Sequence, residues 1–352
     1  MRQRWGALVL LGLAVNLGLV ACSDSGGSDR PAAPKVADPA PRAAAFRVVY
    51  KVDDTVGATP QVSTDVIQVA LPWNGLLEHR EGAPPGGAVL ASTIQNQRFT
   101  FNSAQTSTGF ATRRIPGPLT TVPSPEALQA AADAGLIDRG AEASVAGEPC
   151  TKWSYQATNK VLAKPTADES VEACITKDGI PLREAITLRG KPARVTEAVQ
   201  VDRNPPVTPE TFLTNRDPGA EGDKGLLETE QQITEESDSG KDIVKVTAPE
   251  GFKVARQVKV LRQPGPNAAP ISLYVQAFES GTDLVTTEQF TLGAPSWPAE
   301  EGTVVDLGGK RSGRIVYRPG WAEVRVTVDG KNVRVTSPRP AVALAVAKTL
   351  EV

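Results

Sequence analysis

Side chains able to do covalent or acid–base chemistry are sparse in this chain. Its 352 residues include one histidine, His79, and three cysteines, Cys22, Cys150 and Cys174. Metal hydrolysis, acyl transfer and phosphate binding each need closely spaced sets, such as HExxH, GxSxG, a Walker loop or GxGxxG, and none occurs here. His79 sits in LLEHREG, which reads as a polar turn and makes it a solvated loop residue rather than a base or ligand. Carboxylates come in adjacent pairs, Asp53-Asp54 and Glu235-Glu236, but neighbours on a strand point to opposite faces and such pairs serve solubility. Metal-free carboxylate catalysis is left as an alternative. The expectation is a protein that is not an enzyme, with no catalytic residue, metal site or cofactor.

Cys22 is different, because an apolar run ends on it. Arg2 and Arg4 precede an apolar core over residues 6–21, interrupted by Asn16, and small residues close it. That is the layout of an export signal, and the run is shorter than the ~20 residues of a spanning helix. Leu19-Val20-Ala21-Cys22 resembles the lipobox of bacterial lipoproteins. The resemblance implies a signal peptide over residues 1–21, a diacylglyceryl group on the sulfur of Cys22, and cleavage just before it. Two acyl chains hold a protein stably on a bilayer where one holds it only marginally. The alternative is an ordinary secretory signal with a chance cysteine. Residues 22–43 are rich in Ser, Gly, Asp, Pro and Ala, as a flexible tether is, with a typical span of roughly 25 Å. The expected location is the extracytoplasmic face of the cell membrane.

Composition narrows the partners. The formal net charge is −2 with 38 Lys and Arg against 40 Asp and Glu, the pI is about 5.7, and no basic block stands out, so nucleic acid is not expected. With Cys22 carrying lipid, Cys150 and Cys174 form an even pair in a compartment that permits oxidation, and a disulfide is expected. Two free buried thiols are the alternative.

The elements that position these residues are mainly strands. FRVVYKV puts Phe46, Val48, Tyr50 and Val52 on one face at period two, and DVIQVAL does so with Ile67, Val69 and Leu71. Residues 102–123 read as a long Ser/Thr/Gly/Pro-rich passage. SPEALQAAADAG then predicts a helix, with Ser124 as N-cap, Pro125 at the first helical position, Glu126 in the first turn and Gly135 beyond the end. From residue 142 to 201 an antiparallel meander is expected, turning at Lys177-Asp178-Gly179 and Arg189-Gly190-Lys191.

Trp153, the DGIPLR stretch at residues 178–183 and PPVTPETF at residues 205–212 resemble the later half of the LolA-like fold. That fold is shared by lipoprotein carriers, LppX- and LprG-type lipoproteins and the N-terminal domain of the regulator RseB. The resemblance covers about residues 44–215. It implies a strongly curved antiparallel sheet, an unclosed barrel, with helices on its concave side and a hydrophobic cavity between. Only one helix is expected here, fewer than the carriers use. Trp73, Phe99, Phe101, Phe110 and Trp153 are core residues or, in the LolA-like case, partly cavity lining; no ligand-binding residue is assigned.

Residues 216–240 read as a polar linker; the acidic run ETEQQITEESDSG within it suits a solvated helix face or more linker. Residues 241–352 are expected to form a small α+β domain. ISLYVQAFESGTDLVTTEQFTL predicts a hairpin about Ser280-Gly281. In AEVRVTVDGKNVRV, Val324, Val326 and Val328 alternate with Arg325, Thr327 and Asp329, ahead of an Asp329-Gly330 turn. The chain ends on a helix with Leu344, Ala347 and Leu350 as its stripe and Ser337 as its cap. FESGTDLVTTEQF, residues 278–290, and DGKNVRVTSPRPAVALAVAKTL resemble the C-terminal domain of RseB.

The whole is expected to be α+β and mainly antiparallel β. Two functions follow from the resemblances. The first is a membrane-anchored lipoprotein binding a hydrophobic ligand, lipid or lipoprotein acyl chains, in a half-barrel cavity. The alternative is an RseB-like regulator that senses envelope stress by binding a membrane anti-sigma factor.

Overall fold

The computed structural model describes residues 38, 40–56, 59–97, 99–104, 107–113, 117–156, 169–213, 227–232, 243–263, 271–292, 297 and 301–351. Residues 1–37, with the signal, Cys22 and most of the tether, lie outside them.

Two antiparallel sheets carry the fold. The first begins with β1 (Ala45–Asp54), β2 (Gln61–Ala70), β3 (Asn74–Glu81), β4 (Val89–Gln95), β5 (Phe99–Ala104) and β6 (Ser107–Arg113). A connection carrying α1 (Pro125–Asp133) crosses to the far edge, where β7 (Asp138–Val145), β8 (Glu148–Gln156), β9 (Glu169–Ile175), β10 (Pro181–Leu188) and β11 (Lys191–Asp202) run back towards the centre. The spatial order is β6-β5-β4-β3-β2-β1-β11-β10-β9-β8-β7, so the sheet is two meanders joined where β1 pairs with β11. β6 occupies part of the Ser/Thr/Gly/Pro-rich passage over residues 102–123.

The sheet curls and stays open. β7 packs on β11, with three strands between them in the order, and the hydrophobic core that results joins Phe46, Val48, Tyr50 and Val69 to Cys150, Cys174, Leu182 and Ala198. Cys150 and Cys174 are disulfide-bonded. The inner face at this end is closed by the crossing segment, with Leu119 and Val122 in the same core. α1 buries Ala127, Leu128 and Ala131, with Leu128 against Trp153, Ala173 and Ile175. Ser124 caps it as expected, accepting from Ala127 N at 3.3 Å.

The second sheet comprises β12 (Leu227–Gln232), β13 (Lys253–Gln263), β14 (Ile271–Ser280), β15 (Asp283–Leu292), β16 (Thr303–Gly308), β17 (Arg311–Tyr317), β18 (Ala322–Val328) and β19 (Lys331–Ser337). Its order is β12-β13-β14-β15-β19-β18-β17-β16, again two meanders meeting at the centre. β12 lies within the stretch read as linker and pairs with β13 from Leu227↔Gln263 to Gln232↔Val258; a strand that finds a partner overrides its acidic composition. α2 (Pro340–Lys348) covers one face of this sheet with Val342, Ala343, Val346 and Ala347, and Leu350 follows in the same core. Its N-cap is Arg339 and not Ser337, and Leu344 only borders the core. Both corrections have one cause: the helix turns its valine and alanine stripe to β18 and β19, and Pro340 at the first helical position starts it later.

Candidate functional site

Among the described residues, charged side chains gather on the inner face of the first sheet beyond its apolar end, at the junction between the sheets, and on the second sheet away from α2.

Along β1, β2 and β3 the register places Tyr50 opposite Asp65 and Asp65 opposite His79. One row further, Val52 lies opposite Ser63 and Thr196, and Thr196 opposite Glu184. Asp65 is 4 % exposed. One of its oxygens takes His79 Nδ1 at 2.7 Å and the other accepts from Arg194 Nη2 at 3.1 Å. Tyr50, also buried, donates its hydroxyl to Pro181 O at 2.6 Å, and burial pushes its pKa up. Burial also raises Tyr155, with Glu184 and Glu169 adding to it. Glu184 on this wall keeps an exposed side chain, while its recessed surroundings raise its carboxyl above the ordinary range.

His79 is therefore not the solvated loop residue expected from LLEHREG. It stands in the middle of β3 and is held by a carboxylate on the neighbouring strand. A buried carboxylate costs several kcal/mol unless it is paired, and the Asp65 partners come from strands 14 and 129 residues away. Asp65 within DVIQVAL was the available signal: a charged residue on the apolar side of an alternating strand needs a cation. Among the described residues, no three His, Cys, Asp or Glu side chains gather to hold a metal ion.

Of the aromatic residues singled out above, Phe101 and Trp153 are buried in the fold. Trp73 leaves the sheet at the β2–β3 turn and donates its indole N–H to Glu279 on β14. The side chains of Phe99 and Phe110 lie outside the described residues.

The junction is built around the start of α1. Ser124 N donates to Pro319 O at 3.0 Å, and its hydroxyl donates to Pro338 O while capping the helix. Arg339, ahead of α2, donates through Nε to Glu126 Oε2 and through Nη1 to Asp283 Oδ2, both at 3.2 Å. A second buried network lies on the second sheet away from α2. There Arg325 pairs with Glu301 at 2.6 Å and with Glu323 at 3.0 Å, and Arg318 pairs with Glu301 at 2.8 Å. Arg325, which the alternation of β18 placed on a polar side, is 9 % exposed, and its guanidinium lies over the ring of Trp297.

These features define an α+β protein of two unclosed antiparallel sheets that meet at a polar, buried junction. No protein-family model matches the chain, and no curated protein does. Among solved structures it is similar to MucB in complex with MucA(peri), at 14 % identity over 87 % of this chain and 93 % of that one, with a TM-score of 0.30. It is also similar to the MucA/MucB complex of Pseudomonas aeruginosa (14 % identity, 86 % and 91 % covered, TM-score 0.32) and to MucB itself (13 %, 89 % and 94 %, 0.32). Superposition at that level carries no argument about activity.

Proposed function

We propose that this chain is an exported, membrane-tethered regulator that binds a protein partner, an anti-sigma factor of the cell envelope, and is not a carrier of acyl chains. The observation that carries this choice is the polar wall on the inner face of the first sheet. His79 and Glu184 keep contact with water there beside the Asp65–Arg194 pair, and an acyl chain laid against them would strip that water with no hydrogen bond in return. The apolar part of the same face is occupied by Leu119, Val122 and α1. Peptide groups can satisfy a wall of donors and acceptors where methylenes cannot.

The motif order in the sequence supports the same reading: a lipobox ending at Cys22, a stretch resembling the LolA-like fold, then one resembling the C-terminal domain of RseB. A lipid on Cys22 would hold the protein at the surface where a membrane anti-sigma factor presents its outer segment.

The test is cross-linking of the full chain in intact cells, followed by purification from membranes. A single-pass membrane protein with an anti-sigma domain is the expected product, and deletion should alter a stress regulon. Lipid co-purifying with the soluble part in native mass spectrometry, with no protein cross-linked, would overturn the choice. Fatty-acid labelling that marks the wild type and spares Cys22→Ala tests the tether separately.

A further inference from the structure

The residues just ahead of β1 touch three elements before the chain enters the sheet. Ala40 N donates to Glu126 Oε1 at 2.8 Å. Arg42 Nη1 donates to Thr282 O, in the β14–β15 turn of the second sheet, at 3.2 Å. Ala43 N donates to Asp178 O, in the β9–β10 turn of the first, at 3.0 Å. The segment thus crosses the junction and is bonded on both sides of it.

It also completes the charge balance there. Glu126 divides its two oxygens between the Ala40 amide and Arg339, and Arg339 reaches on to Asp283. Arg42 feels both carboxylates, Asp283 and Glu126. Two cations and two anions alternate, and Arg339 and Asp283 are almost wholly shielded from water. Without Arg42, Arg339 would answer two carboxylates alone. Arg42 Nε and Asp283 Oδ1 are both buried and both lack a hydrogen-bond partner, a donor and an acceptor of opposite charge in one cluster. Burial pushes the Asp283 carboxyl above its ordinary range against the pull of Arg339 and Arg42, so this carboxylate depends on its cations.

We infer that residues 40–43 act as a strap that locks the second sheet module onto α1, with Arg42 as its fastening, so that the joining of the two modules depends on the chain ahead of β1 being in place. This goes beyond the proposed function and rests on neither the lipid nor the partner. Whatever displaces the strap loosens the junction while leaving each sheet intact, because only Ala43 of the strap borders a core, at the edge of the first sheet's.

Hydrogen exchange on the full chain, read by mass spectrometry, tests it with Arg42→Ala. The junction amides, those of residues 280–284, Arg318, Gly320, Trp321 and Ser124, should exchange at least about tenfold faster, as a local opening does, while amides central to β14–β15 and β8–β9 keep their wild-type rates. Arg42→Lys retains the charge beside Asp283 and should recover most of the protection; it also serves as the working variant if the alanine form does not fold. Unchanged exchange at the junction, or acceleration spread evenly over both sheets, would overturn the inference.

Discussion

Arg339 and Glu126, 213 residues apart, are joined at 3.2 Å between the start of α2 and the first turn of α1. α1 packs on the first sheet and also reaches β17 and α2 of the second, and this bond adds a charged tie between the two helix N-termini. Glu126 stands where the helix dipole favours a carboxylate, and Arg339 is 6 % exposed.

Removing that arginine leaves Asp283 and Glu126 with Arg42 alone to answer them in poorly solvated surroundings. Arg339→Ala should lower unfolding stability by about 3 kcal/mol, the range for breaking a buried ion pair from one side. Urea unfolding at neutral pH measures it, and a loss below about 1 kcal/mol would contradict the burial argument.

The Cys150–Cys174 bond closes a loop of 24 residues in sequence separation within the curled core. The Cys150→Ala, Cys174→Ala double variant should lose about 3 kcal/mol on the chain-entropy account. A matching loss when the wild type is reduced would assign the effect to the bond rather than to the alanine side chains.

Gly179 turns β9 into β10 with φ +91°, and a Cβ there would lie 2.7 Å from Pro123 O. Gly179→Ala should therefore cost about 2 kcal/mol or more, combining an unfavourable φ with a backbone clash. The melting temperature should drop, and exchange should rise first around Ser124, because Pro123 is the group that must move.

Acid should act on the second sheet. Burial works to raise Glu301 and Glu323, but Arg325 and Arg318, with Arg334 also acting on Glu323, outweigh it and hold both carboxyls below their ordinary range. A carboxyl with a depressed folded pKa contributes stability that is complete above its unfolded pKa, about 4.5, and is lost as pH falls through the folded value. Urea midpoints should be flat from pH 7 to 5 for this cluster and fall below about pH 4.5. Glu323→Gln should be less stable at pH 7 and show a shallower fall in acid.

On the inner wall the two Asp65 partners are unequal. His79→Ala should cost under about 1 kcal/mol, since the histidine is partly exposed and Arg194 still answers the carboxylate. Asp65→Ala should cost about 3 kcal/mol, because it strands a largely buried guanidinium. A double-mutant cycle on Asp65 and Arg194 by urea unfolding would return the coupling.

Local pattern carried a good part of the fold. The one-sided alternation of Phe46, Val48, Tyr50 and Val52 became the buried face of β1. The Ser124-Pro125-Glu126 start became the capped first turn of α1, and Asp329-Gly330 turns β18 into β19 with both residues at positive φ. Each of these signals acts within a few residues, where propensity, capping and turn geometry are set by neighbours in the chain.

The misreadings share the opposite property. His79 looked like a loop residue because Asp65 is invisible as its partner until β2 and β3 are in register. β12 looked like linker because its glutamates and glutamines mark a strand only once β13 is beside it. The alternation of β18 set Arg325 apart from the valine face but could not show its burial, because Glu301, which answers it, lies 24 residues away. Sequence alone determined the strand-rich composition, the helix start at Ser124, the hairpin turns and the pair of cysteines available for bonding. Tertiary structure alone decided which charges are buried together and how the two sheets are joined, because a charge can leave water only beside a counter-charge, and here each counter-charge is delivered by a distant strand.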